Sequence, residues 1–296
     1  MITGAVVLAG GRSSRMGAPK AALEWHGSTL LRRTVGIVAR ATGGPVVVVR
    51  ASGQDLPELP GSVTVVDDPR EGKGPVQGIA AGLTALAGQA DAAFIASTDL
   101  PFLHPAFIRR VVRVLDTAGN AGNAAGSADG LDGPDVALPV ARGYPQPLAA
   151  AYRTGLAGLA ERLVKDDRLR PAFLFAECNV TRLDDTQLLA DPVLAALDPD
   201  LDSVLNVNTP EDYAQARRRP APEVTVQLFG ALVKAGRPAG PRPVRAATVQ
   251  AAADAVGLPL DRHVTAALNG DQITRDPVTP LAQGDTVFFM SADAGG

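Results

Sequence analysis

A glycine-rich segment near the start of the sequence combines a flexible backbone with positive charge. Residues 8–20 read LAGGRSSRMGAPK, in which two adjacent glycines precede Arg15 and Lys20. Glycines let backbone N–H groups approach an anion closely, and the two cations can neutralise its charge. Because Gly17 is followed by Ala-Pro-Lys, the segment is not an NTPase P-loop, and it lacks the G-x-G-x-x-G spacing of dinucleotide-binding oxidoreductases. We therefore predict a loop of another class that binds nucleotide phosphates.

A second candidate group is the carboxylate of Asp99, which follows an apolar run at residues 92–97. If that run is a strand of an open α/β sheet, Asp99 lies at the carboxyl end, where such sheets bind ligands. A carboxylate there can bind Mg²⁺ beside nucleotide phosphates, because magnesium prefers hard oxygen ligands. The alternative is a helix cap before Pro101. The phosphate-binding loop upstream favours the magnesium interpretation.

Elements that could position these residues alternate along the first half of the chain. Predicted strands cover residues 4–8, 45–50, 63–66 and 92–97, and predicted helices cover residues 29–41, 76–87 and 105–115. This alternation predicts a parallel sheet covered on both faces. A glycine-rich stretch at residues 119–133 is predicted to be a flexible surface insertion, after which the regular pattern resumes at residues 135–140 and 147–153.

The composition is that of an ordinary globular protein. With 296 residues, 46% of them hydrophobic, and a formal net charge of −3, nothing favours binding to nucleic acid or to a membrane surface. The amino terminus lacks the pattern of a signal peptide and no apolar run reaches the ~20 residues of a membrane helix, so we expect a cytoplasmic protein. Three scattered histidines and a single cysteine argue against a His/Cys metal site. Cys178 is interpreted as a buried structural thiol.

A change of pattern near residue 218 predicts a domain boundary. A helix from about residue 210 ends in three arginines, and Pro-Ala-Pro follows, a combination typical of a helix end. Beyond it, strands are predicted at residues 224–229, 265–268 and 286–290, with a helix at residues 248–256. We predict a first domain of residues 1–218, a linker of residues 219–223 and a small mixed α+β domain of residues 224–296.

Five motifs in the first domain occur in the order found in one family of nucleotidyltransferases. They are LAGGRSSRMGAPK at residues 8–20, GPVQG at 74–78, TDLP at 98–101, QPL at 146–148 and NVNTPED at 206–212. Together they resemble the molybdenum cofactor guanylyltransferase family, although Val76 and Gln77 depart from its Gly-Pro-Leu-Ala-Gly loop. The resemblance implies a Rossmann-like α/β domain with a mostly parallel sheet.

The same resemblance implies an activity, which is transfer of GMP from Mg²⁺-GTP to the phosphate of molybdopterin or molybdenum cofactor, with release of pyrophosphate. Arg15 and Lys20 would offset charge on the leaving pyrophosphate, and Asp99 would bind Mg²⁺. The residues implied to bind GTP are Leu8, Ala9, Gly10, Gly11, Lys20, Asp99 and either Asp67 or Asp68. Asn206 and Asn208 are implied to lie near the pterin; alternatively they form the turn before Pro210.

Two other substrates remain open. Leu-Ala-Gly-Gly resembles the guanylyl enzymes, whereas cytidylyl relatives tend to have Ala-Ala-Gly, so CTP is the alternative nucleotide. A sugar-phosphate nucleotidyltransferase, which shares the loop, is a more distant alternative.

The second domain carries a separate resemblance. VTVQLFG at residues 224–230, LNG at 268–270, LAQGD at 281–285 and the final Gly295-Gly296 are similar to the small subunit of molybdopterin synthase, a ubiquitin-like, β-grasp sulfur carrier. In that family an E1-like enzyme adenylates the tail, which becomes a thiocarboxylate and enters the large synthase subunit. Gly296 would carry this chemistry, because a tail without side chains fits a narrow channel. The alternatives are an idle tail, or a chain that acts only as a sulfur-carrier and interaction module with a silent first domain.

Overall fold

The computed structural model describes residues 1–10, 19–68, 74–122, 133–233 and 240–291. Contacts divide the chain into two compact units. The first unit comprises Met1–Leu23 and Leu30–Pro210, and the second comprises Glu24–Thr29 and Glu211–Gly296. The domain limits at residues 218 and 224 remain a prediction.

The elements follow the order expected from the sequence, with several short additions. The strands are β1 (Thr3–Leu8), β2 (Glu24–Trp25), β3 (Ser28–Thr29), β4 (Val46–Ala51), β5 (Val63–Asp68), β6 (Ala92–Ser97), β7 (Val136–Ala141), β8 (Tyr144–Pro145), β9 (Ala149–Arg153), β10 (Val180–Asp184), β11 (Glu223–Leu228), β12 (Arg242–Arg245), β13 (Val264–Leu268), β14 (Gln272–Thr274) and β15 (Thr286–Ser291). The helices are α1 (Leu30–Thr42), α2 (Pro75–Leu86), α3 (Pro105–Gly122), α4 (Ala157–Lys165), α5 (Pro171–Phe175), α6 (Asp185–Leu189), α7 (Pro192–Leu197), α8 (Pro210–Arg217) and α9 (Val249–Ala255).

The first unit is built on a twisted sheet with the strand order β10-β7-β9-β6-β1-β4-β5. Neighbouring strands are parallel except at β9, which is antiparallel to both β6 and β7, and at the short strand β8, which pairs antiparallel with β7. The predicted α/β class with a mostly parallel sheet is therefore confirmed. Because β1, β4, β5, β6 and β7 run the same way, their carboxyl ends share one edge of the sheet.

Strand β1 is buried on both faces, as its uninterrupted apolar sequence predicts. Val6 packs with α2 in the core of one face, and side chains such as Val7 are equally buried on the face that α1 contacts. Polar groups that act on a ligand therefore have room only beyond the strand ends.

One prediction for this unit is partly wrong. The flexible insertion was expected from residue 119, but the backbone of α3 stays helical through Gly122. Residues 119–122 read Gly-Asn-Ala-Gly, of which only the alanine favours helix. The helix therefore continues into them by propagation from the well-buried amphipathic segment before them. Residues 123–132 lie outside the described part of the chain.

The second unit contains a smaller mixed sheet with the order β12-β11-β15-β13-β14. Its central strands β11 and β15 are parallel, and its other pairs are antiparallel. Helix α9 starts where the Thr248 hydroxyl accepts a hydrogen bond from the N–H of Ala251, and it buries Ala252 against Val226 and Phe289 within one core. The hairpin β2–β3 belongs to this unit through Tyr213, whose hydroxyl donates to the carbonyl of Glu24.

The packing of α2 on β1 yields a stability prediction, because a Cβ at Gly82 would lie 2.3 Å from Cγ1 of Val6. Overpacking a core typically costs about 1–3 kcal/mol, so we expect Gly82→Ala to lower the free energy of unfolding by about that amount in urea titrations. The matched control is Gly158→Ala on α4, where an added Cβ meets nothing within 4 Å. It should be neutral or stabilise by up to about 1 kcal/mol, since alanine favours helix over glycine. Equal urea midpoints for Gly82→Ala and Gly158→Ala would contradict the close packing of Gly82 against Val6.

Candidate active site

The first sheet has a topological switch point beside β1. From β1 the chain passes through α1 to β4 and β5 on one side, then returns through α2 to β6 on the other side. Open α/β sheets bind ligands in the crevice at the carboxyl ends of strands that flank such a point. The parallel register of β1 and β6 pairs Leu8 with Ser97. The segments that follow these two strands therefore leave the sheet side by side.

Three side chains from distant parts of the sequence meet at this edge. The Lys20 ammonium donates to Oδ2 of Asp99 at 3.3 Å and to Oδ1 of Asn208 at 2.9 Å. The other carboxylate oxygen of Asp99 accepts a short hydrogen bond from the Ser97 hydroxyl. The main chain adds a further link, because the N–H of Val207 donates to the carbonyl of Asp99 at 2.9 Å. Lys20, Asp99 and Asn208, which sequence reasoning proposed separately, are thus brought together.

The cluster remains open to a ligand. The side chains of Lys20 and Asp99 are each 19% exposed, and Asn208 is exposed. The two oxygens that accept hydrogen bonds from Lys20, on Asp99 and Asn208, are hard ligands of the kind that Mg²⁺ prefers. They already bind one cation, the Lys20 ammonium. In the described part of the chain no group of three or more His, Cys, Asp or Glu side chains could hold a metal ion.

The backbone at the start of the glycine-rich segment is fixed by β4 and by Gln54. The N–H groups of Ala9 and Gly10 donate to the carbonyl of Val49 at 2.8 and 3.3 Å. The Gln54 amide donates to the carbonyl of Ala9 at 3.1 Å and accepts from the N–H of Ala51 at 3.0 Å. Gln54 therefore holds the exits of β1 and β4 together. Sequence reasoning missed it; the available signal was a polar residue just after a predicted strand.

The two adjacent aspartates of β5 have different surroundings. Asp67 forms an ion pair with Arg50, whose Nε lies 2.7 Å from Oδ1, and both side chains are partly exposed. Arg50 also donates to the carbonyl of Gln54 at 3.1 Å, which connects this pair to the exit of β4. Strand alternation places Asp68 on the opposite face, the one on which Val66 packs against the core beneath α2. The choice between the two for nucleotide binding stays open.

The remaining predicted site residues fall into two groups. Asn206 is exposed on the segment that carries Asn208, with Val207 buried between them. Gly11, Arg15 and Gly296 lie outside the described residues, so their predicted roles stay predictions.

Cys178 takes no part in this cluster. It packs against the core beneath α2 and α4, and burial raises the pKa of its thiol to about 11, with the Asp135 carboxylate acting in the same direction. The side chain is half-buried rather than buried as predicted. At neutral pH the thiol is protonated and a poor nucleophile, which agrees with a structural role.

Among the described residues, no helix combines the length and the apolar character needed to span a bilayer.

Similarity to known proteins identifies the family to which the chain belongs. Residues 5–181, which include β1, β6 and the switch point, match the model of the MobA-like NTP transferase domain. The chain belongs to this family. It is a nucleotidyltransferase of the MobA-like type, and the switch-point cluster of Lys20 and Asp99 lies where such a fold binds its ligands.

Individual relatives cover the same part of the chain. A protein of Bacillus anthracis named "Probable molybdenum cofactor guanylyltransferase" is 28% identical over 215 residues, which are 72% of this chain and 94% of the relative. A protein of the same name from Bacillus cereus is 29% identical over 217 residues, again 72% and 94% of the two chains. The crystal structure of molybdopterin-guanine dinucleotide biosynthesis protein A from Archaeoglobus fulgidus aligns with a TM-score of 0.50 and 23% identity, covering 72% of this chain and 96% of that protein. The last similarity supports the fold of the MobA-like unit.

The raised pKa of Cys178 gives a pH prediction. Because only the thiolate reacts with alkylating reagents, the reaction of Cys178 with iodoacetamide should be slow at pH 7 and should accelerate as the pH rises toward about 11. Mass spectrometry of the intact protein measures the rate, and free cysteine, with a pKa near 8.5, is the control. A rate at pH 7 equal to that of free cysteine would contradict the raised pKa of the Cys178 thiol.

Proposed function

We propose that the first unit transfers GMP from Mg²⁺-GTP to the terminal phosphate of molybdopterin or molybdenum cofactor and releases pyrophosphate. The observation that carries the proposal is the contact of Lys20 with Asp99 and Asn208 at the switch point. Through this contact, Lys20 at the end of the glycine-rich segment lies beside the carboxylate that follows β6 and beside the segment of residues 206–208. The guanylyl assignment is supported by the names of relatives that this chain matches over 94% of their length and by the Leu-Ala-Gly-Gly sequence.

The topology supports a division of this edge between the two substrates. We assign the nucleotide to the side of β1, β4 and β5, with Leu8, Ala9, Gly10 and Gly11 as nucleotide-binding residues and Asp67 or Asp68 as a further contact. We assign the pterin phosphate to the side of Asn206 and Asn208. Asp99 lies between the two groups, where donor and acceptor phosphates would meet.

The proposed reaction is an in-line displacement. An oxygen of the acceptor phosphate forms a new bond to the α-phosphorus of GTP, and the bond from that phosphorus to the oxygen bridging to the β-phosphate breaks, so that pyrophosphate leaves. No general base is required, because the attacking phosphate is already ionised. Catalysis then consists of alignment and of charge neutralisation on the phosphates. In this scheme Lys20 and Arg15 place positive charge against the leaving pyrophosphate.

The oxygen donors at the cluster fit a hard divalent cation. Oδ2 of Asp99 and Oδ1 of Asn208 already share one cationic partner, Lys20, and Asp99 would be the protein ligand. When bound there, Mg²⁺ would supply Lewis-acid neutralisation of the nucleotide phosphates.

A nucleotide panel with molybdopterin as acceptor tests this function. We expect pyrophosphate release from Mg²⁺-GTP only in the presence of molybdopterin, and we expect Asp99→Asn to reduce kcat by about 10²-fold or more, the usual effect of removing a group that stabilises transition-state charge. Asp116→Asn, which removes an exposed carboxylate on α3, is the control and should leave the rate unchanged. Equal turnover of CTP would overturn the guanylyl assignment, and turnover with sugar phosphates in place of molybdopterin would overturn the acceptor.

For the second unit we propose a sulfur-carrier role of the ubiquitin-like, β-grasp type. Its support is the mixed sheet, in which the first and last strands, β11 and β15, are parallel neighbours at the centre and one helix, α9, packs on one face. In this proposal Gly295-Gly296 follows β15 as the tail that an E1-like enzyme adenylates and that delivers sulfur to the large subunit of molybdopterin synthase.

Mass spectrometry of the carboxyl terminus tests the second role. With an E1-like activating enzyme, ATP and a sulfur donor, the intact chain should gain the mass of one sulfur-for-oxygen exchange at Gly296. Deleting Gly295-Gly296 should abolish the exchange, whereas Asp293→Asn, which retains both glycines, should not. An unmodified terminus in the intact chain would contradict the sulfur-carrier role. If Asp99→Asn retains full biological function while the deletion abolishes it, the first unit is silent and the chain acts as a carrier alone.

A further inference from the structure

The Lys20 ammonium contacts the carboxylate that the proposed function assigns to the metal ion. It bridges Oδ2 of Asp99 and Oδ1 of Asn208 at 3.3 and 2.9 Å, and these are the oxygens that the proposed function assigns to the metal and the acceptor. The formal charges of Lys20 and Asp99 cancel. A free divalent cation that approached this edge would therefore meet a neutral ion pair rather than an unpaired carboxylate.

The two oxygens of Asp99 are held in different ways. Oδ1 accepts from the Ser97 hydroxyl, and Ser97 is the last residue of β6. Oδ2 faces Lys20 at a distance longer than the 2.7–2.9 Å typical of strong charge-assisted hydrogen bonds. The strand therefore fixes the carboxylate, and the contact at Oδ2 is the one that can exchange.

Lysine is suited to leave this position when a stronger anion arrives. Its ammonium sits on a flexible four-carbon stem, and its side chain is partly exposed. A nucleoside triphosphate carries several negative charges, whereas Asp99 carries one. The ammonium gains more electrostatic energy against the phosphates than against a single carboxylate.

We propose that Lys20 is a built-in counter-ion that keeps the cation position at Asp99 occupied until a nucleoside triphosphate draws the ammonium onto its phosphates. The metal then enters with the nucleotide rather than before it. Mg²⁺ loses its water shell reluctantly, and the described residues offer it no cluster of three ligating side chains. By linkage, the nucleotide raises the affinity for the metal by the same factor by which the metal raises the affinity for the nucleotide.

This inference rests on the metal position in the proposed function but not on the identity of the base or of the acceptor. Its test uses Mn²⁺ as the probe, with free Mn²⁺ measured by electron paramagnetic resonance on the full chain without nucleotide. We expect the wild type to bind Mn²⁺ weakly and Lys20→Met to bind it at least tenfold more tightly. Lys165→Met, which removes the same charge from the last turn of α4, should match the wild type.

Two further measurements identify the site and the coupling. Adding Asp99→Asn to Lys20→Met should abolish the gain in Mn²⁺ affinity, which locates the ion at Asp99. A non-hydrolysable GTP analogue is then added at a concentration that saturates both proteins, and the Mn²⁺ bound by the analogue in protein-free solution is subtracted. The analogue should increase Mn²⁺ affinity much more in the wild type than in Lys20→Met, because the variant has no ammonium to displace. Circular dichroism checks folding, and Lys20→Gln replaces Lys20→Met if the latter does not fold.

The proposal is overturned if Lys20→Met binds Mn²⁺ no more tightly than the wild type, or if the wild type binds Mn²⁺ equally well with and without the analogue. These outcomes leave the guanylyl assignment untouched. Conversely, a preference for CTP in the nucleotide panel would remove that assignment without affecting the role of Lys20 as a counter-ion.

Discussion

The ion pair of Lys20 and Asp99, shared with Asn208, is the interaction on which the proposed function of the first unit depends. The parallel register of β1 and β6 aligns Leu8 with Ser97. The chain after β1 and the carboxylate after β6 therefore emerge at the same level of the sheet edge. Lys20, at the start of the short helical turn Lys20–Ala22, contacts that carboxylate.

The same burial explains why the chemistry is confined to one edge. Strands β1, β4 and β6 have apolar side chains on both faces, so charged groups occur where the strands end and the backbone turns. There the protein links its strand ends with polar contacts. Gln54 joins the exits of β1 and β4, and Arg50 pairs with Asp67 beside it. The result is an edge whose cations and carboxylates are paired with each other, which a nucleotide and its metal would have to rearrange.

The second unit depends on a different interaction, the parallel pairing of β11 with β15. The family match covers residues 5–181, so the proposed sulfur-carrier role is supported by the small sheet itself and by the sequence after β15. In that sheet the central position of β15 depends on its parallel pairing with β11. That pairing joins the two ends of the unit and buries Phe289 with Val226 in one core.

The sequence by itself determined the class of the fold and nominated most of the residues of the candidate site. Alternation of apolar strands and helices predicted the parallel sheet, because periodicity is a local property, and the glycine-rich segment, Asp99 and Asn208 were recognisable from residue type and order. It did not reveal the antiparallel strand β9, the role of Gln54 or the pairing of Asp67 with Arg50. Only the tertiary structure decided that Lys20 bridges Asp99 and Asn208, which are 79 and 188 residues away in sequence. Contacts over such separations depend on strand order and register, and these are set by the packing of the whole sheet rather than by any local pattern.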